Sequence, residues 1–190
     1  MADKPTGFGY PEPKPLRGLM SRIYQLAARF LPGGTGMRVK LHRARGVRIG
    51  NNVWIGYDAI LETSKPWLID IEDDVLIGIR TTIIAHFNET EGVKIEKGAF
   101  IGPGVLIMPN VVIGHGAVVS AGSVVTRSIP PLTVVQGNPA VPVARCEVPM
   151  GDLSVKEFAR KLRPLIPPKP PVARKPPAAP ATVGAPESPE

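Results

Sequence analysis

The sequence holds one cysteine, Cys146, in 190 residues. A single thiol excludes an internal disulfide framework and a multi-cysteine metal site. Its expected role is that of a small apolar side chain, and its isolation suits a reducing cytoplasm. Aromatic residues are only 5% of the chain, so a core has to be aliphatic, and Val, Ile and Leu supply 49 residues for it. No apolar run is long enough for a membrane-spanning helix, which needs about 18 residues or more. Residues 1–15 carry four Pro and no apolar stretch of the signal-peptide type. Acidic residues are the minority, 16 against 23 Lys and Arg, for a net charge of +7. The bases cluster at Arg38, Lys40, Arg43, Arg45 and Arg48, and again at Arg160, Lys161 and Arg163. That balance suits an anionic partner: nucleic acid, a phosphorylated cofactor or an anionic membrane surface. Alone it does not choose among them.

Five stretches follow from composition. Residues 1–15 read as a disordered Pro-rich leader. Residues 16–46 read as a helix and a basic connector. Leu16, Leu19, Met20, Ile23, Leu26, Ala27, Phe30 and Leu31 recur at helical spacing. Arg17, Arg22 and Arg29 stay off that stripe, and Leu31-Pro32-Gly33-Gly34 stops the helix. The stripe is expected to pack on the protein's own core or on a sister subunit, in preference to a peripheral membrane contact. Residues 47–148 form the body. Residues 149–165 hold a second helix over 152–165, where Ser154 and Glu157 have capping-box spacing. Residues 166–190 contain nine Pro in 25 and read as a disordered tail.

The body repeats in sixes. Ile49, Ile55, Ile71, Ile77, Ile83, Ile95, Ile101, Ile107, Ile113, Val119 and Val125 each open a hexad. The fifth position is small or β-branched at Val53, Ala59, Val75, Thr81, Ala99, Val105, Val111, Ala117, Ser123 and Ile129. A period of six fits a parallel β-helix, with one short strand and one corner per hexad. Openers then point to the axis and stack into ladders about 4.8 Å apart. A narrow axis has little room for rings, which accounts for the missing aromatics. The pattern breaks twice, over Leu61–Asp70 and over Asn88–Lys94. Such insertions fall on loops, where function concentrates.

The segment Ile49–Ala144 resembles the hexapeptide-repeat acyltransferases, closest to the sugar and polysaccharide O-acetyltransferases. The resemblance rests on the hexads and on two further stretches. Ile113 to Arg127, with Gly114-His115-Gly116 and Ser120-Ala121-Gly122 inside it, looks like the family's coil for the cofactor arm. Ile129-Pro130-Pro131 through Gly137-Asn138-Pro139-Ala140 looks like its terminating loop. Ile83-Ile84-Ala85-His86 matches the segment of the active-site histidine. The resemblance implies an all-β core, a left-handed parallel β-helix with a helix at each end. It also implies a homotrimer, and acetyl transfer from acetyl-coenzyme A to a saccharide or other small-molecule hydroxyl, without metal or nucleic acid. It places Ala121, Gly122, Thr126, Arg127 and Asn138 on the cofactor. Val141 stands where some relatives carry a basic residue, so phosphate contacts at that end are not implied.

The residue chemistry agrees. Ala121 and Gly122 leave backbone open to an amide arm, and a hydroxyl and a cation at Thr126 and Arg127 suit phosphates. Of three histidines, His42 lies in the basic connector and is expected at the surface or a subunit contact. His115 falls on an exposed corner. His86 borders the second break, where an imidazole can serve as a base near neutral pH. Asn88 and Glu89 in the same break, and Trp67 in the first, are candidates to bind the acceptor. No nucleophile elbow is present, and Cys146 has no histidine partner in the sequence, so direct transfer is expected.

Overall fold

The computed structural model describes residues 15–87 and 91–165. The Pro-rich tail, most of the leader, and Asn88 and Glu89 lie outside the described residues. Four coils of three short strands stack in parallel. The first holds β1 (Arg48–Ile49), β2 (Trp54–Ile55) and β3 (Ile60–Leu61). The second holds β4 (Ile69–Ile71), β5 (Leu76–Ile77) and β6 (Thr82–Ile83). The third holds β7 (Val93–Ile95), β8 (Phe100–Ile101) and β9 (Leu106–Ile107). The fourth holds β10 (Val111–Ile113), β11 (Val118–Val119) and β12 (Val124–Val125). Like strands form three sheets: β1-β4-β7-β10, β2-β5-β8-β11 and β3-β6-β9-β12.

The hexad openers are the core. Ile49, Ile71, Ile95 and Ile113 stand in register in one sheet. Ile55, Ile77, Ile101 and Val119 do so in the second. Leu61, Ile83, Ile107 and Val125 form the third ladder. Leu61 is thus a further opener that an Ile/Val pattern passes over. The fifth-position residues, from Val53 to Ile129, are buried as well. Strand alternation explains this, since they precede the next opener by two. The fourth position of the hexad turns the corner with positive φ, at Asn52, Asp58, Asp74, Gly98, Gly104, Asn110, Gly116 and Gly122, and even at Arg80. Asn, Asp and Gly tolerate that conformation best. Coils press closely at the position after the opener: a Cβ on Gly102 would come within 2.6 Å of the Ala121 amide nitrogen.

A stacked coil satisfies its neighbour's backbone groups, so the first coil has carbonyls with no coil beneath them. The basic connector meets this need. It folds as a second helix, α2 (Met37–Arg45), after α1 (Pro15–Phe30). Arg38 donates to Ile55 O, Arg43 to Ile49 O (3.1 Å), and Arg45 to Leu61 O (3.1 Å) and Glu62 O (2.7 Å). Arg38 and Arg45 are buried, so much of the basic cluster is a cap and not a solvated patch. His42 departs from its expected surface position and is fully buried. Burial, with Arg45 and Arg38 nearby, lowers its pKa from 6.5 to about 3, so the ring is neutral.

The α1 stripe does not take the first of its two expected places. The polar side of α1 faces the coils: Gln25 Nε2 donates to Ala59 O (3.1 Å), and Arg29 pairs with Asp58. Leu16, Leu19, Ile23, Leu26 and Phe30 point outward and are exposed. Among the described residues, therefore, the stripe does not pack on the protein's own core, and a sister subunit is the expected place that stands.

The other end closes differently. β13 (Thr133–Gln136) stacks on β11, then β14 (Val141–Arg145) and β15 (Arg163–Pro164) add antiparallel to it. The terminal helix α3 covers Val155–Lys161, shorter than the 152–165 run, because Arg163 and Pro164 join the sheet. Its capping box of Ser154 and Glu157 is formed. Phe158 and Cys146 pack with Val118, Val134 and Ala144 in a separate apolar cluster. Burial raises the Cys146 thiol pKa, as befits an inert packed side chain.

Candidate active site

Both insertions fall on one edge of the solenoid, where the chain passes from the third sheet back to the first. Successive openers across this edge are Leu61 and Ile71, Ile83 and Ile95, then Ile107 and Ile113. The first two passages are longer than a hexad and the third is regular. The first insertion carries a 3₁₀ turn at Pro66–Leu68.

Stacking sets Glu62 beneath Ala85 and His86. The Glu62 side chain is only 4% exposed, and its Oε2 lies 2.7 Å from His86 Nδ1. Oε2 also accepts from the Ala85 amide at 3.1 Å. Oε1 accepts from the Ser64 amide at 2.8 Å and the Lys65 amide at 3.3 Å. Burial alone would raise the Glu62 pKa, but the hydrogen bonds from His86, Ser64 and Ala85 outweigh it and hold the carboxyl below its usual value. The carboxylate therefore stays ionised and fully bonded. It holds the imidazole by Nδ1 and leaves Nε2 for chemistry. His86 is 32% exposed, enough to meet a ligand. This buried carboxylate and half-exposed imidazole have the geometry of an oriented general base.

Sequence reasoning singled out His86 and passed over Glu62. The signal was there: folding the sequence back by one coil puts Glu62 directly after the Leu61 opener, beside the Ile83 hexad. Arg45 supports Glu62 from below, through the bond to its carbonyl. Trp67, from the first insertion, is half-exposed beside α1 and takes no part in the His86 pair.

The five residues matched to a cofactor site lie two coils above, on the two corners that flank β12 and in the loop after β13. Ala121, Gly122, Thr126, Arg127 and Asn138 are all exposed. Gly122 takes φ +68°, with open space where a Cβ would stand. The Gly137–Ala140 loop is tied to this coil, with Val124 N donating to Gly137 O (3.0 Å) and Ala140 N to Val124 O (2.8 Å). Thr126 and Arg127 follow β12 and lie on the same edge as His86. At about 4.8 Å per coil they are about 10 Å from it along the axis. An unobstructed glycine corner and a free cation fit an amide arm ending in phosphates. His115 lies on an exposed corner elsewhere. Among the described residues no three His, Cys, Asp or Glu side chains are grouped to hold a metal.

Comparison with known proteins agrees with the repeat and the solenoid. Residues 92–127 match the bacterial transferase hexapeptide family (six repeats), and residues 69–109 match the hexapeptide repeat of succinyl-transferase. The chain carries hexapeptide repeats of the kind found in bacterial acyltransferases. A hexapeptide-repeat-containing acetyltransferase from Vibrio cholerae O1 biovar eltor, solved with acetyl coenzyme A, is similar at 25% identity and TM-score 0.55, over 68% of this chain and 87% of that one. A serine acetyltransferase from Neisseria gonorrhoeae is similar at 25% identity and TM-score 0.50, over 70% of this chain and 54% of that one. A search of curated proteins returns no match. Among the described residues, no helix is long and apolar enough to cross a membrane.

Proposed function

We propose that the protein transfers acetyl from acetyl-coenzyme A to a hydroxyl of a sugar or polysaccharide precursor, with His86 as general base. The observation that carries this reading is the Glu62–His86 pair, on the edge that also holds Thr126 and Arg127. Glu62 keeps Nδ1 protonated and Nε2 free. Nε2 takes the proton of the acceptor hydroxyl as its oxygen attacks the thioester carbonyl, and the coenzyme A thiolate leaves. Ala121, Gly122, Thr126, Arg127 and Asn138 hold the cofactor, and Arg127 meets a phosphate. Two neighbours at this level of similarity are acetyltransferases, one with acetyl coenzyme A bound, which supports the donor. Asn88, Glu89 and Trp67 bind the acceptor, and the active form is a cytoplasmic homotrimer.

The test is a panel of sugar hydroxyl, sugar amine and amino-acid acceptors with acetyl-coenzyme A, scored by release of free thiol. Turnover confined to hydroxyl-bearing saccharides supports the reading. Turnover confined to amines would redirect it to N-transfer. Absence of coenzyme A binding would replace the enzyme by a scaffold.

A further inference from the structure

A second concavity lies beside the dyad, between α1 and the first insertion. It encloses about 290 Å³ and is lined by Arg17, Arg22 and Arg45, with Ser21, Ser64 and Trp67. Arg17 and Arg22 form no hydrogen bond or ion pair among the described residues. Arg45 is buried, and its guanidinium meets only neutral partners: Ser21 Oγ, the Gln25 amide oxygen, His42 Nδ1, and the carbonyls of Leu61 and Glu62. The nearest carboxylate acting on it, Glu62, is turned to His86 and the loop amides. α1 contains no acidic residue. Three cations thus face one cavity with no carboxylate paired to any of them. Arg45 is the buried one of the three, and burying positive charge without a directly paired carboxylate is costly, a cost that a bound anion lowers; Arg17 and Arg22 are exposed at the rim and free to turn to the same anion. Arg forks are suited to phosphate, the Ser64 hydroxyl adds a donor, and Trp67 offers a flat apolar wall.

From this we infer that the cavity between α1 and the 62–68 insertion binds the phosphoryl group of a ligand about the size of a monosaccharide phosphate. The phosphoryl group has two possible sources, a soluble phosphorylated acceptor or the headgroup of an anionic lipid. The outward apolar stripe of α1, alongside, makes the second a real arm of the test. Where the phosphate belongs to the acceptor, the inference rests on the acyl-transfer reading, since the Ser64 amide that lines this side also bonds Glu62.

The experiment measures binding and not turnover, so it stands apart from the fate of the catalytic assignment. The full chain is titrated calorimetrically with glucose 1-phosphate and with inorganic phosphate. In parallel it is sedimented with phosphatidylglycerol and with phosphatidylcholine vesicles. An Arg17→Ala/Arg22→Ala variant removes two exposed, unpaired cations, and an Arg160→Ala/Lys161→Ala variant removes two from the far end as a charge control. Melting temperature verifies folding of each. We expect the first pair to weaken binding at least tenfold, the loss for one charge-assisted contact, and the control pair to leave it near wild type. Loss confined to the soluble probes assigns the cavity to a phosphorylated acceptor; loss confined to phosphatidylglycerol vesicles assigns it to a headgroup. Equal loss in both variants, or no binding of any probe, overturns the proposal.

Discussion

The lower two coils and the upper two share one apolar interior but differ on their outer edges. Below, the edge passages are lengthened, and the cap is made of buried guanidiniums bonded to carbonyls. The carboxylate of the site is buried among amides. Above, the hexads run unbroken, the corners are glycine apart from Asn110, and the cap is an apolar cluster with added strands. On the function proposed above, the contrast is a division of labour. Proton chemistry needs a shielded carboxylate and an oriented base, which only inserted loops supply. A long flexible cofactor arm needs open backbone, which only a regular glycine corner leaves free. One ladder serves both because its openers are indifferent to what the edge carries.

Removing the base is the harshest way to break this comparison. His86→Ala is predicted to lower kcat by about 10²–10⁴, with melting temperature and coenzyme A affinity near wild type. His86→Asn loses as much, and His115→Ala stays active. Wild-type turnover in His86→Ala would end the catalytic assignment and leave the fold untouched.

Acid strikes the lower half through His42. Its pKa is 6.5 in an unfolded chain and about 3 in the fold, so between those values the unfolded state binds the extra proton. Stability is therefore full above about pH 6.5 and falls as pH drops toward 3, by on the order of 4–5 kcal/mol in all. The lowered carboxyl of Glu62 acts in the same direction at the acid end: its contribution is present above the ordinary carboxyl range and is lost as pH falls through its folded value. Urea unfolding at pH 7, 5.5 and 4.5 reads the slope, and His42→Leu is predicted to flatten it. An unchanged slope in that variant would show that His42 is not the group titrating.

Glu62→Gln sharpens the dyad itself. The amide keeps the shape but loses the charge-assisted bond to Nδ1, worth about 1.5–3 kcal/mol, so kcat is predicted to fall roughly ten- to a hundredfold. The pH–rate profile should move with it, whereas KM for acetyl-coenzyme A should not. A shift in KM alone would make Glu62 merely structural.

The smallest effect belongs to the upper half. Arg127→Ala is predicted to raise KM for acetyl-coenzyme A by about tenfold, one phosphate contact, with kcat little changed. If KM does not move, Arg127 faces solvent. Together with His86→Ala, this variant tests whether the two halves separate chemistry from cofactor binding.

Much of this was legible. The openers from Ile49 to Val125 set the period and thereby the axis, the coil count and the aliphatic core. His86 stood out because a histidine beside a broken hexad has no interior to fill. Glu62 did not, because its meaning lies one coil away and the insertion between them is not a multiple of six. The orientation of α1 was misread for a related reason. A 3.6-residue stripe shows that a helix has two faces but not which one the fold turns inward. Here the Ala59 and Thr63 carbonyls and the Asp58 carboxylate demanded hydrogen-bond donors, so Gln25, Ser21 and Arg29 faced in and the leucines faced out. His42 went the same way, since a basic helix that caps carbonyls carries its neighbours into the interior.

By itself, then, the sequence determined the solenoid, because a repeat of six constrains each strand locally and each coil by its likeness to the next. Only the tertiary structure decided where charge was buried. The end of a stack leaves unsatisfied carbonyls, and stacked coils bring a carboxylate and an imidazole 2.7 Å apart across 24 residues of chain. Those demands exist only once the coils are in place.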